Sequence, residues 1–148
     1  MRFWDSSAVL PLCLEEPNSE RLQHLAREDP LMVAWWGTVV ECASAVARIR
    51  RDGVFDVSQE RAVETLLQGV AAAWTEVQPS DEVRRWGIRI IRRYPLRAAD
   101  ALQLAAAQLW ASGRPEGNEF VCLDHRLRDA ARREGFSVIP QFDDEVGI

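Results

Sequence analysis

Short apolar runs of strand length alternate along this chain with longer stretches of helical periodicity, and no other feature restricts the fold as much. Arg2 to Trp4, Leu31 to Trp36, Phe120 to Leu123 and Phe136 to Ile139 read as strands. Between them, a helical region reaches about Glu28 with an interruption near Pro17, and another runs from Thr38 to Arg51 before Asp52-Gly53. Ser58 is read as the cap of a helix from about Gln59 to Ala73, and Ser80 as the cap of one that runs to about Arg93 and is stopped by Pro95. Two more are expected from about Arg97 to Ala111 and from about His125 to Glu134, the last ending at Gly135. Strands separated by helices pair through crossovers, which predicts an α/β domain with a mainly parallel sheet covered on both faces. At 148 residues the chain suits a single domain spanning 1–148, and no repeat, linker or low-complexity tract divides it. Asp143-Asp144-Glu145 reads as a solvated tail.

Composition removes several chemistries. All 18 basic residues are arginine, so a phosphate-binding loop lysine, a catalytic lysine and Schiff-base chemistry are excluded together. A net charge of −5 argues against a polyanion binder that works by bulk charge, so any nucleic-acid contact must be local. The densest candidate is Arg84, Arg85, Arg89, Arg92, Arg93 and Arg97, which reads either as a solvated helix face or as a set of phosphate contacts. Cys13, Cys42 and Cys122 are widely spaced in apolar surroundings and read as buried thiols. Two histidines leave little material for a zinc site or a Ser-His-Asp triad. No apolar run is long enough to span a bilayer and the N-terminus lacks a signal-peptide pattern, so a cytoplasmic protein without membrane attachment is expected.

Four acids stand where strands pass into helices or helices begin: Asp5, Glu41, Asp100 and Asp124. Each has a plain structural explanation. Asp5 and Asp124 suit helix N-caps, and Thr38-Val39-Val40-Glu41 matches a capping box. Asp100 lies beside an apolar stripe with Leu104 and Ala107, where Arg97 offers an ion-pair partner. In a parallel sheet, however, loops at the carboxyl ends of the strands converge on one crevice. Carboxylates meeting there repel one another unless a hard cation such as Mg²⁺ or Mn²⁺ neutralises them.

Taken together and in order, four segments are specific. Phe3-Trp4-Asp5-Ser6-Ser7-Ala8, Val40-Glu41-Cys42-Ala43-Ser44-Ala45, Leu96-Arg97-Ala98-Ala99-Asp100-Ala101-Leu102-Gln103-Leu104-Ala105 and Val121-Cys122-Leu123-Asp124-His125-Arg126-Leu127 resemble the acidic motifs of PIN-domain ribonucleases, in particular the toxin branch called VapC. The resemblance extends over essentially the whole chain, including Ala130 to Ile139. One departure is Cys122, where many members carry Ser or Thr; Ser6 is a candidate replacement polar group.

That resemblance implies a PIN-like three-layer α/β/α sandwich and Mg²⁺- or Mn²⁺-dependent endonucleolytic hydrolysis of RNA, leaving 5′-phosphate and 3′-hydroxyl ends. Matching positions would make Asp5, Glu41, Asp100 and Asp124 the catalytic metal site. The chemistry expected of them has Asp5 and Asp100 on a metal directly, Glu41 and Asp124 on a second ion or acting through its waters, and Arg97 or another nearby arginine holding the RNA backbone. The resemblance also implies a cognate antitoxin as partner, for which Leu22, Leu25 and Trp36 are candidate groove residues as well as core candidates, and pairing into a homodimer. Two other readings are weighed: a catalytically inactive PIN-fold binding module, and a haloacid-dehalogenase-like phosphatase. The phosphatase needs a second aspartate two residues after Asp5 and a lysine, and the chain has Ser7 and no lysine.

Overall fold

A computed structural model describes residues 1–143. Five parallel strands form one sheet: β1 (Arg2–Trp4), β2 (Met32–Trp35), β3 (Thr75–Val77), β4 (Glu119–Val121) and β5 (Ser137–Ile139), in spatial order β3-β2-β1-β4-β5. The helices are α1 (Ser6–Val9), α2 (Ser19–Glu28), α3 (Thr38–Arg51), α4 (Val57–Ala73), α5 (Asp81–Arg93), α6 (Ala98–Trp110) and α7 (His125–Glu134), with a 3₁₀ turn at Leu10–Leu12.

Side chains that alternate along each strand divide the core in two. Phe3, Val33, Trp35 and Phe120 face α5, α6 and α7, whereas Trp4, Met32, Ala34 and Val121 face α1 to α4. This is the α/β/α layering expected from the alternation of elements. Phe3 and Phe120 stack on adjacent strands with centroids 5.4 Å apart and no exposure. Burial of each such ring contributes about 2 to 3 kcal/mol. Helix α6 carries Ala101, Ala105, Ala106 and Ala107 fully buried, and these small side chains let α5 lie close against it. At the contact, a Cβ on Gly87 would stand 3.3 Å from Leu102.

Several boundaries differ from expectation. Strand β3 was not anticipated, because its Thr-Glu-Val is an edge segment with an exposed-to-intermediate pattern and no buried apolar run. Helix α4 is capped by Asp56 in a capping box with Gln59, two residues ahead of the expected Ser58. Ser80 caps α5 as expected, its hydroxyl accepting from the Val83 N–H at 3.2 Å. The three cysteines are buried and unpaired. Of the acidic tail, Asp144 and Glu145 lie outside the described residues. Among the described residues no helix is long and apolar enough to cross a membrane.

Crossovers on opposite faces reverse the strand order at β1 and β4. The chain leaves β1 toward β2 and β3 through α1 to α4, then returns through α5 and α6 to place β4 on the other side of β1. The carboxyl ends of β1 and β4 therefore flank a topological switch point, where such sheets form their ligand crevice.

Candidate active site

Asp5 follows β1 directly, and its backbone N–H donates to Val121 O at 2.9 Å, which fixes it against the end of β4. It is 1% exposed. Its Oδ2 accepts from the Ser7 N–H at 3.1 Å, from the Ser7 hydroxyl and from the Cys122 thiol at 3.5 Å, whereas its buried Oδ1 has no partner. Ser7 Oγ also accepts from the Leu123 N–H at 2.9 Å, so one hydroxyl joins the ends of β1 and β4 at the carboxylate.

Glu41 stands in the first turn of α3, half-buried. Its Oε2 accepts from Gln103 Nε2 at 2.7 Å and its Oε1 from the Ser6 hydroxyl at 3.2 Å. Gln103, fully buried on α6, also donates to Thr38 Oγ1 at 2.9 Å and thereby ties α6 to the start of α3. Asp100 lies in the first turn of α6. Asp124 is exposed and caps α7, accepting from the Leu127 N–H at 2.9 Å.

All four acids line one recess of about 770 Å³, together with Trp36, Val40, Arg48 and Arg97. Asp100, Asp124 and Arg97 also border a smaller neighbouring recess of about 270 Å³. Residues far apart in sequence, from Asp5 to Asp124, thus meet because the loops at the carboxyl ends of the strands and the helix starts beside them open toward the same end.

The local electrostatics are unfavourable to charge. Burial pushes the Asp5 carboxyl up to about 6, opposed by the Ser7 and Cys122 hydrogen bonds and reinforced by Asp100. Burial likewise raises Glu41 to about 7, with Asp5 and Asp100 adding to the rise and Gln103 and Ser6 resisting it. Asp100 is raised by burial and by Asp124, and Arg97 lowers it only in part. Arg97 and Asp100 make no ion pair among the described residues. Three neighbouring acids that all resist ionisation form a site in want of positive charge.

The donor set is all oxygen, which suits a hard divalent cation, and Asp5 Oδ1 is a buried acceptor with an unused lone-pair set. Among the described residues no three acidic, histidine or cysteine side chains stand together as a ready-made metal-holding group. The fit to a cation is therefore one of donor chemistry and electrostatics, with side-chain adjustment needed to close a ligand shell.

The hydroxyl at Asp5 is that of Ser7, for which no role was expected, and not that of the candidate Ser6. Ser7 orients Asp5, while Ser6 reaches Glu41. The expected capping box at Thr38 does not form: Gly37 is the cap residue, and both Thr38 Oγ1 and the Glu41 carboxylate are held by Gln103 instead. Gln103 escaped the sequence reading because a glutamine in an Ala/Leu-rich helix carries no motif; its position three residues after Asp100, on the same helix face, was the available signal. Of the candidate groove residues, Leu22 is fully buried and Leu25 packs on the core, whereas Trp36 is 52% exposed at the recess.

No known family profile and no curated protein matches the sequence. The fold does match solved structures. A toxin-antitoxin complex from Klebsiella pneumoniae aligns at TM-score 0.58 and 17% identity over 84% of this chain and 87% of that one. FitAcB from Neisseria gonorrhoeae aligns at TM-score 0.66 and 17% identity over 95% and 97%, respectively. PAE2754 from Pyrobaculum aerophilum aligns at TM-score 0.63 and 19% identity over 93% and 87%. At these identities the likeness is one of architecture, and the chain has the PIN-like α/β/α fold.

Proposed function

We propose that the recess is the active site of a metal-dependent endoribonuclease, and that the chain is the toxin of a toxin-antitoxin pair. The observation that carries the first part is the convergence of Asp5, Glu41, Asp100 and Asp124 on one recess at the switch point, with three of the four carboxyls raised by burial and mutual repulsion. Support for the second part is the shared architecture with a toxin-antitoxin complex. Confinement to the cytoplasm, pairing into a homodimer and inhibition by an antitoxin belong to the same reading.

Asp5 and Asp100 would hold Mg²⁺ or Mn²⁺ directly, with Glu41 and Asp124 holding a second ion or the water around the first. Such a cation, when bound, neutralises the carboxylates and lowers the pKa of a coordinated water. The chain's own residues fix the geometry. Ser7 and Cys122 hold one oxygen of Asp5 and leave the other open, and Gln103 and Ser6 anchor Glu41 from two sides. Arg97, at the border of both recesses, would pair with a backbone phosphate. Hydrolysis adds water's oxygen to phosphorus and its proton to the departing 3′ oxygen, which yields 5′-phosphate and 3′-hydroxyl ends.

A second reading, an inactive binding module, draws on the absence of a ready-made ligand group among the described residues. RNA cleavage by purified, antitoxin-free protein with Mg²⁺, Mn²⁺ or EDTA separates the two. The nuclease reading expects metal-dependent cleavage that falls at least about 100-fold in folded Asp5→Asn and Asp100→Asn variants. Wild-type protein that cleaves no RNA with either metal would leave the binding module standing.

A further inference from the structure

Glu41 belongs to α3 and Asp100 to α6, and the two helices pack on opposite faces of the sheet. The spacing of these acids is therefore set by neither helix alone. Both helices also start without a side-chain cap. Arg97, ahead of α6, makes no capping hydrogen bond, and Gly37, ahead of α3, has no side chain to make one. A Cβ on Gly37 would come within 2.5 Å of the Trp35 indole nitrogen, so a capping residue there would have to displace a buried ring.

Gln103 takes over the anchoring of α3. It sits one turn after Asp100 on α6, is fully buried and lines neither recess. Its Nε2 donates across the layers to Thr38 Oγ1 at 2.9 Å and to Glu41 Oε2 at 2.7 Å. Thr38 is the fully buried first residue of α3 and Glu41 stands one turn later, so one amide grips both ends of that turn.

Packing alone does not account for this glutamine. Its Oε1 is buried and has no hydrogen-bond partner among the described residues, which is unfavourable. Its neighbours Leu104, Ala105, Ala106 and Ala107 are fully buried and apolar, and a leucine or methionine would suit such a helix without an orphaned carbonyl. The donor is also neutral. An arginine in this place would form an ion pair with Glu41 and compete with a bound cation, whereas an amide orients the carboxylate and leaves its charge uncompensated. Each carboxylate oxygen keeps a second lone pair, so a hydrogen bond from behind does not block coordination.

We propose that Gln103 is a positioning residue for the cation site: its amide fixes the Glu41 carboxylate relative to Asp100, so that metal affinity depends on a side chain behind the wall of the recess. The inference rests on the metal-dependent reading of the recess. It adds a residue that touches neither metal nor substrate and acts through Glu41. Buried polar groups that break the apolar pattern of a helix concentrate where a site needs them.

The test is calorimetric titration of Mn²⁺ alone into wild-type and Gln103→Met protein at one fixed pH, each with and without Glu41→Gln. Methionine keeps the length of the side chain and removes the donor. Gln103→Met should weaken Mn²⁺ binding by about 10- to 100-fold. In the Glu41→Gln background, where Asp5 and Asp100 remain to hold the ion, it should make little further difference. Folded Gln103→Met protein, checked by circular dichroism, that binds Mn²⁺ as tightly as wild type would overturn the inference. So would a loss of equal size in both backgrounds, which would make Gln103 a strut of the fold and nothing more. Should the methionine variant not fold, Gln103→Asn keeps an amide that is one methylene too short to reach both acceptors, and the same outcomes decide. RNA cleavage by the wild-type protein is measured in parallel. Cleavage without Gln103-dependent Mn²⁺ binding removes this inference alone, Gln103-dependent binding without cleavage supports it and removes the nuclease reading, and neither removes both.

Discussion

The two ends of the parallel sheet carry the same acidic residue types and treat them in opposite ways. At the amino end, Arg2 is buried and donates to Glu28, to Glu119 at 3.0 Å and to the Leu25 carbonyl at 3.0 Å, and the chain's N-terminus pairs with Asp29. Glu134 there receives Arg93 at 3.1 Å, Tyr94 at 2.8 Å and Gln108. Glu28 and Asp29 are held below the usual carboxylate range, Glu28 by its bond to Arg2 and Asp29 by its bond to the N-terminus. At the carboxyl end, Asp5, Glu41 and Asp100 make no ion pair among the described residues, and all three are raised. Acids that serve the fold are paired with cations by the fold; acids in the recess that have only neutral hydrogen-bond donors want positive charge that the neighbouring side chains do not provide.

Breaking the amino end should cost the most stability. Arg2→Ala removes a buried guanidinium with three acceptors, and an expected loss of about 3 kcal/mol should appear in denaturant unfolding. Because Glu28 and Glu119 are substantially exposed and regain water, the loss should stay below that of a fully buried pair. RNA cleavage by the surviving folded protein should not change its metal dependence. A change there would mean that the two ends are not separate.

At the carboxyl end the sign reverses. Asp5 and Glu41 keep protons in the native state above the pH at which the unfolded chain, with ordinary values of 3.8 and 4.5, has lost them. The native state then binds more protons than the unfolded one, so the contribution of these groups to stability falls as pH rises from about 4 through 6 to 7. Asp5→Asn removes one such ionisation. Without divalent cation it should be more stable than wild type by about 1 to 2 kcal/mol near pH 8, the full effect of two pKa units being about 3 kcal/mol and the amide lacking a partner for one N–H. The difference should shrink toward pH 4. Added Mg²⁺ should raise the melting temperature of wild type and leave Asp5→Asn nearly unmoved, which thermal melts at the two pH values with and without Mg²⁺ would show. A variant less stable than wild type at pH 8 would contradict the uncompensated charge of Asp5.

This contrast explains what the sequence could and could not disclose. The alternation of strands and helices made the layered α/β fold legible, and the switch point made it reasonable to seek four distant acids in one place. Asp29 and Asp5, however, are both aspartates beside a strand, and only the fold brings the chain's N-terminus to one and, among the described residues, leaves the other without an ion pair. Burial partners are long-range properties, which is why Gln103 was invisible and why β3, an edge strand of three residues, carried no apolar signal. Trp36 illustrates the same limit. Adjacent tryptophans at 35 and 36 point to opposite fates, one packed in the core and one displayed at the recess, and their order in the sequence does not say which.

The smallest expected effects separate two adjacent serines, and they sharpen the comparison most finely. Sequence reading assigned Ser6 as the polar group compensating for Cys122, whereas Ser7 makes the bonds to Asp5. Those bonds hold the Asp5 carboxyl down against burial, so Ser7→Ala should move Asp5 further up and shift the acidic limb of the metal-dependent cleavage profile by about one pH unit toward neutrality. It also deprives the Leu123 N–H of its acceptor, at a stability loss of about 1 kcal/mol. Ser6→Ala removes a single 3.2 Å bond to Glu41, whose other oxygen stays on Gln103, so its profile should move by a smaller amount in the same direction. A larger shift for Ser6→Ala than for Ser7→Ala would place Glu41, and not Asp5, as the group whose ionisation limits the site.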